Sequence, residues 1–107
     1  MRRGDLVTIP LSGDYGKPRP ALIVQADAFA EMNSVTVLRV TSELHDWPLF
    51  RITVEATGDT GLEKRSQVMV DKAATVPRSR IGQRIGCLDT ETLQAVNTAL
   101  AKFFGID

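Results

Sequence analysis

Several residue types on which whole chemistries depend occur only once. The chain of 107 residues has one cysteine, one histidine, one tryptophan and one tyrosine. A lone Cys87 excludes an internal disulfide and gives no cysteine pair for a metal. With His45 the only histidine, a structural zinc site is not expected, and neither is any other cofactor. No apolar run approaches the ~20 residues that cross a bilayer, so no membrane partner is expected. The start, Met1-Arg2-Arg3-Gly4-Asp5, turns polar without forming a signal-peptide core, and a cytoplasmic protein is expected. Net charge is missing too. Thirteen basic residues balance thirteen acidic ones, so the chain as a whole has no strong pull on nucleic acid.

What is present describes one soluble globular domain over residues 1–107. Hydrophobic residues make up 43% and charged residues 24%. The charge is unevenly placed. From Lys64 to Arg84 six basic residues stand against Asp71 alone, whereas Asp27 to Glu63 holds seven acids against Arg39 and Arg51. A basic patch on a neutral protein can hold a short stretch of phosphates.

The pattern predicts mostly short strands. Asp5 to Leu11 reads as the first, ended by Pro10, with turn chemistry over Ser12 to Gly16. The second runs from about Pro20 to Gln25, and its aliphatic Ala21-Leu22-Ile23-Val24 reads as buried. Ala26 to Met32 reads as a short helical turn with Asp27 as its cap. Ser34 to Thr41 alternates as a third strand, and Phe50 to Ala56 as a fourth with one wet face. Ser66 to Val70 reads as a fifth, Thr75-Val76 as a separate extended piece, and Arg84 to Leu88 as the last. Asp89-Thr90-Glu91-Thr92 then opens a helix on which Leu93, Val96, Leu100 and Phe103 or Phe104 share helical spacing, and Gly105 ends it. The expected fold class is mostly β with α (α+β): a small SH3-like barrel of about six or seven strands with a C-terminal helix.

The stretch around which the rest is organised is Gly16-Lys17-Pro18-Arg19-Pro20 followed by the apolar run. Each proline fixes its own φ and biases the preceding residue to extended geometry, so Arg19 is restrained from both sides. A stiff loop would hold its guanidinium at the mouth of a strand.

Arg3-Gly4-Asp5-Leu6-Val7, Arg19-Pro20-Ala21-Leu22-Ile23-Val24 and Val40-Thr41-Ser42 together resemble the MazF/PemK/Kid family of toxin ribonucleases from type II toxin–antitoxin pairs. The resemblance runs nearly the full length, with weaker parts at Asp71 and the final helix. It implies an SH3-like barrel, a homodimer, sequence-selective cleavage of single-stranded RNA, and a cognate antitoxin whose tail lies in the RNA groove. Residue by residue it assigns catalysis to Arg19 and Thr41 and a supporting place to Asp71. The chain departs from the family in its shorter first loop, where Asp14 and Tyr15 stand near the family's Glu-Gln or His-Glu-Gln. A second likeness competes. Asp71 to Pro77, Ile81-Gly82 and Phe103-Phe104-Gly105-Ile106 look like CcdB, a gyrase poison of the same fold without the ribonuclease site. A third reading is a non-catalytic SH3-like binding module.

The chemistry of RNA cleavage fits these residue types. The 2′-OH can attack the adjacent phosphorus and expel the 5′-oxygen, leaving a 2′,3′-cyclic phosphate and a 5′-OH. The protein must move two protons and stabilise the charge of the transition state. Arg19 suits the last task, because its planar fork matches two phosphate oxygens and it is a poor base. Thr41 can donate a hydroxyl hydrogen bond to the same phosphate, with Ser42 as the alternative one position on. For the base, His45, Asp14 and Asp71 are the candidates; histidine is the type that changes charge near neutrality. Lys17 is a candidate phosphate contact, and Tyr15 and Trp47 are candidate stacking surfaces for unpaired bases.

Overall fold

The computed structural model describes residues 1–10 and 17–106. Among these, the elements follow as β1 (Asp5–Pro10), β2 (Pro18–Ile23), β3 (Ser34–Thr41), β4 (Arg51–Val54), β5 (Ser66–Pro77), β6 (Arg84–Cys87) and α1 (Thr90–Phe104). The strands form one antiparallel sheet in the order β4-β5-β3-β2-β1-β6. It curls into a half-barrel of the class expected, with α1 packed against β4 and β5.

Strand parity explains the packing. Leu6 pairs with Leu22 and Leu22 with Leu38, so three leucines with no exposed surface form a row across β1, β2 and β3. They share a core with Val54, Val68, Val70 and, from α1, Val96 and Ala99. The alternate residues Val7, Ile9, Ala21, Ile23, Val35 and Val37 form a second cluster, bordered by Ala74, Val76 and Ile81. Both faces of the central strands are therefore buried, which is why residues 21–23 read as a continuous apolar run. Each such side chain contributes about 1.5–3 kcal/mol by leaving water.

The helix forms as its sequence predicts. Asp89 accepts a 2.6 Å hydrogen bond from the Thr92 N–H, and Gly105 closes the other end at φ 70°, a conformation that favours glycine. That bond holds the Asp89 carboxyl below the usual aspartate range, because an N–H that donates to the carboxylate favours its charged form.

Four local expectations need correction. β2 begins at Pro18, so Arg19 lies within a strand rather than on a preceding loop. Asp27 does not cap the 3-10 turn at Asp27–Phe29; its carboxylate accepts from the Arg3 N–H at 2.7 Å, tying the N-terminus to that turn. The fourth strand is shorter than read, since only Arg51–Val54 pairs with β5. The fifth strand and the extended piece after it are one strand of 12 residues, and Asp71 sits inside it. The break in pattern arises from a bulge: β3 advances from Leu38 to Val40 while β5 runs from Ala73 back to Val68. The residues of β5 in between, Asp71 and Lys72 among them, have no partner on β3.

The Arg3-Gly4-Asp5 segment proves architectural. The Arg3 Nε donates to the Val24 carbonyl at 2.8 Å, and the Gly4 N–H donates to the Ile23 carbonyl at 2.8 Å. The nearly buried Asp5 accepts from the Arg2 N–H at 2.8 Å and pairs with the Arg84 Nε at 3.1 Å. These bonds fasten the N-terminus to the end of β2 and to β6.

Candidate active-site groove

A groove of about 670 Å³ opens where β2 and β3 part. The prolines cause the parting. The Ile23 carbonyl accepts from Gly4, so residues 23, 21 and 19 turn their backbone groups toward β1. The Val24 N–H donates to Thr36, so 24, 22, 20 and 18 turn theirs toward β3. Pro20 and Pro18 thus lack an N–H on the side where β3 would need one. The β2–β3 ladder accordingly stops at the pair Ala21–Arg39. Continued past that pair, the same register would set Pro20 beside Val40 and Arg19 beside Thr41. The strands splay instead, and Arg19 and Thr41 both line the groove.

Parity adds a third residue. Arg39 and Thr41 are two apart on β3 and point to the same face, which is also the face of Arg19 and Ile9. The exposed Arg39 lines the groove, although the sequence reading passed over it; its alternation with Thr41 was the available signal. Thr8, Lys17, Ser42, Glu63, Lys64 and Ser66 complete the polar lining. The far wall is the segment at 61–64, which local sequence gave no means of placing. It is pinned by contact with β6: a Cβ on Gly61, whose φ is +69°, would lie 1.9 Å from the Ile85 carbonyl, and one on Gly86 would lie 2.3 Å from the Asp59 carbonyl. Four cationic side chains face one carboxylate among the described residues of this groove. Such a surface suits a short polyanion.

The hydroxyl of Thr41 is oriented locally. Its Oγ1 accepts from the Glu43 N–H at 3.1 Å, a turn bond that leaves its hydrogen to be donated elsewhere.

The remaining sequence candidates fall in other places. His45 and Trp47 stack with ring centroids 4.0 Å apart and planes 2° apart, and Trp47 stacks further on Phe50 at 5.6 Å. The Arg51 guanidinium lies 5.0 Å from the Trp47 ring centroid. Asp71 faces this arginine, Oδ1 to Nε at 3.8 Å, and the Lys72 ammonium at 3.5 Å. Asp71 therefore takes part in an ion pair with Arg51. None of His45, Trp47, Phe50, Arg51, Asp71 and Lys72 lines the groove. Asp14 and Tyr15 lie outside the described residues. Phe103, Phe104 and Ile106, the residues of the gyrase-poison likeness, are exposed at the far end of α1.

With this geometry in hand, comparison with known proteins is specific. A family described as "PemK-like, MazF-like toxin of type II toxin-antitoxin system" matches residues 2–104. The chain is 47% identical to the probable endoribonuclease MazF of Mycolicibacterium smegmatis over 107 residues, 99% of this chain and 98% of that one. Its structure is similar to Mycobacterium tuberculosis toxin MazF-mt6, with TM-score 0.82 and 26% identity over 96% of this chain and 98% of that one. It also shares the fold of a MazE–MazF crystal structure from Deinococcus radiodurans, with TM-score 0.82 and 24% identity over 100% and 97% of the two chains. Full-length sequence similarity and shared architecture agree: the chain belongs to the PemK-like, MazF-like toxins of type II toxin–antitoxin systems.

Proposed function

We propose that this toxin is an endoribonuclease that binds single-stranded RNA in the β2–β3 groove and cuts it between Arg19 and Thr41. The observation that carries this reading is the opening itself. Proline nitrogens end a ladder, and the residues two positions on in register, Arg19 with its guanidinium and Thr41 with its hydroxyl, line one cationic groove. In the reaction the RNA 2′-oxygen bonds to phosphorus as its proton leaves, and the bond to the 5′-oxygen breaks as that oxygen gains a proton. The products are a 2′,3′-cyclic phosphate and a 5′-OH, with no water consumed. Arg19 spreads its charge over the non-bridging oxygens and Thr41 donates to one of them. Lys17, Arg39 and Lys64 hold neighbouring phosphates.

The name of the Mycolicibacterium relative supports the activity, and the family description supports a cognate antitoxin, which would occupy the same groove in a cytoplasmic complex. The protein works as a homodimer. Support comes from the exposed Phe103, Phe104 and Ile106 at the end of α1 and from β4, an edge strand paired only with β5. Among the described residues no helix is long and apolar enough to cross a membrane.

The test is incubation of purified protein with a long single-stranded RNA in excess chelator, followed by end-group analysis. Cyclic phosphate and 5′-OH ends are expected. Intact RNA of every sequence tried, with gyrase trapped on DNA, would replace this reading by the gyrase-poison one.

A further inference from the structure

The groove does not explain why a buried glutamine lies directly beside Thr41. Thr41, the last residue of β3, pairs with Gln67 on β5 in the final rung of that ladder. Gln67 is only 6% exposed, an unusual depth for an amide side chain. Its Oε1 accepts from the His45 N–H at 3.0 Å, and its Nε2 donates to the His45 carbonyl at 2.9 Å. The Nε2 also lies 3.4 Å from the Thr53 Oγ1. A side-chain amide here does the work of a strand backbone, giving one donor and one acceptor to a loop residue that no strand reaches.

The consequence is geometric. The clamp on His45 and the ladder rung at Thr41 fix both ends of the short segment 41–45, and the Glu43 N–H bond to Thr41 Oγ1 fixes its middle. Two of its residues, Thr41 and Ser42, line the groove. Beyond it, the ring of His45 is stacked on Trp47, so the clamped residue has little room to move. We propose that Gln67 is a positioning residue for cleavage: through the His45 backbone it holds the Thr41 hydroxyl at the place where the scissile phosphate must sit.

This inference rests on the ribonuclease reading, and the experiment separates the two. Gln67→Leu keeps a side chain of similar bulk and removes both bonds; Gln67→Glu keeps an acceptor for the His45 N–H but turns a second acceptor toward the His45 carbonyl. Misplacing a reacting group by about 1 Å can cost on the order of a hundredfold in rate. Single-turnover cleavage by Gln67→Leu is expected to fall by about tenfold to a hundredfold with RNA affinity nearly unchanged. Amide exchange at residues 42–46 should speed up while that of β1, β2 and α1 does not. The decisive comparison is non-additive: in a Thr41→Ala background, Gln67→Leu should cost almost nothing more, because the hydroxyl it positions is gone. Multiplicative losses in the double variant would show a merely structural role and overturn the proposal. So would a loosened loop with wild-type cleavage. If Gln67→Leu fails to fold, Gln67→Glu is put through the same double-variant cycle, with the same two outcomes. Wild-type protein that leaves RNA whole would reject the ribonuclease reading itself, whereas faster exchange at residues 42–46 in Gln67→Leu would still register the clamp.

Discussion

The two sides of Thr41 are built on opposite plans. On the β2 side, prolines remove donors, strands separate, and charged groups such as Arg19 and Arg39 stand on an open groove. On the loop side, similar residue types turn toward one another: His45 stacks on Trp47, Trp47 on Phe50, and Arg51 lies against both Trp47 and Asp71. In the first region Arg39 is exposed. In the second, the Arg51 side chain is 9% exposed and its charge is answered within the fold. The contrast shows that residue type alone does not mark a nucleic-acid contact. What marks it is whether the backbone around the residue has been left open.

Replacing residues on each side tests that contrast. Arg19→Ala should have the largest effect, because in the proposed reaction it removes the main charge facing the transition state. A loss of about a hundredfold to a thousandfold in cleavage is expected. The circular dichroism should stay unchanged, since an exposed side chain leaves no cavity. Arg39→Ala should act on binding instead. RNA affinity measured against salt should weaken, with the slope shallower by about one unit for the lost phosphate contact. A change confined to the rate of the bound RNA would move Arg39 into the catalytic set.

On the loop side the expected readout is stability. Trp47→Ala removes two stacking contacts and a cation–π contact, and denaturant unfolding should show a loss of about 1 kcal/mol. Groove cleavage should persist; its collapse in a folded variant would erase the distinction between the two regions. The smallest effect lies far from both. The carboxyl of Asp89 is held below its ordinary range by the Thr92 N–H, so its contribution is present above the unfolded value. It is lost as pH falls through the lower folded value. Asp89→Asn should therefore flatten the acid limb of thermal stability slightly without touching cleavage.

Much of this organisation was legible in the chain. Strand three and the capped helix follow from alternation and from Asp89 and Gly105, which are local signals. The resemblance carried by Arg19-Pro20-Ala21 and Val40-Thr41 directed attention to the two residues now found on one groove. What could not be read were facts of pairing. That Pro20 ends a ladder depends on which neighbour its nitrogen faces. That Asp71 meets Arg51 depends on the bulge that interrupts β5. Lys64 and Glu63 reach the groove only because Gly61 and Gly86 let their segments touch. Gln67 reads as one polar position in an apolar strand until its amide is seen against His45.

In the proposed reaction the RNA's own 2′-OH is the nucleophile, in a groove lined by Arg19 and Thr41. The most direct measurement uses a short single-stranded RNA with one mapped cut site and a copy bearing 2′-O-methyl at that nucleotide alone. The wild-type protein is predicted to bind both with similar affinity, to cut the first to a cyclic phosphate, and to leave the second whole. Cleavage of the methylated strand at the same bond would rule out the 2′-OH as nucleophile.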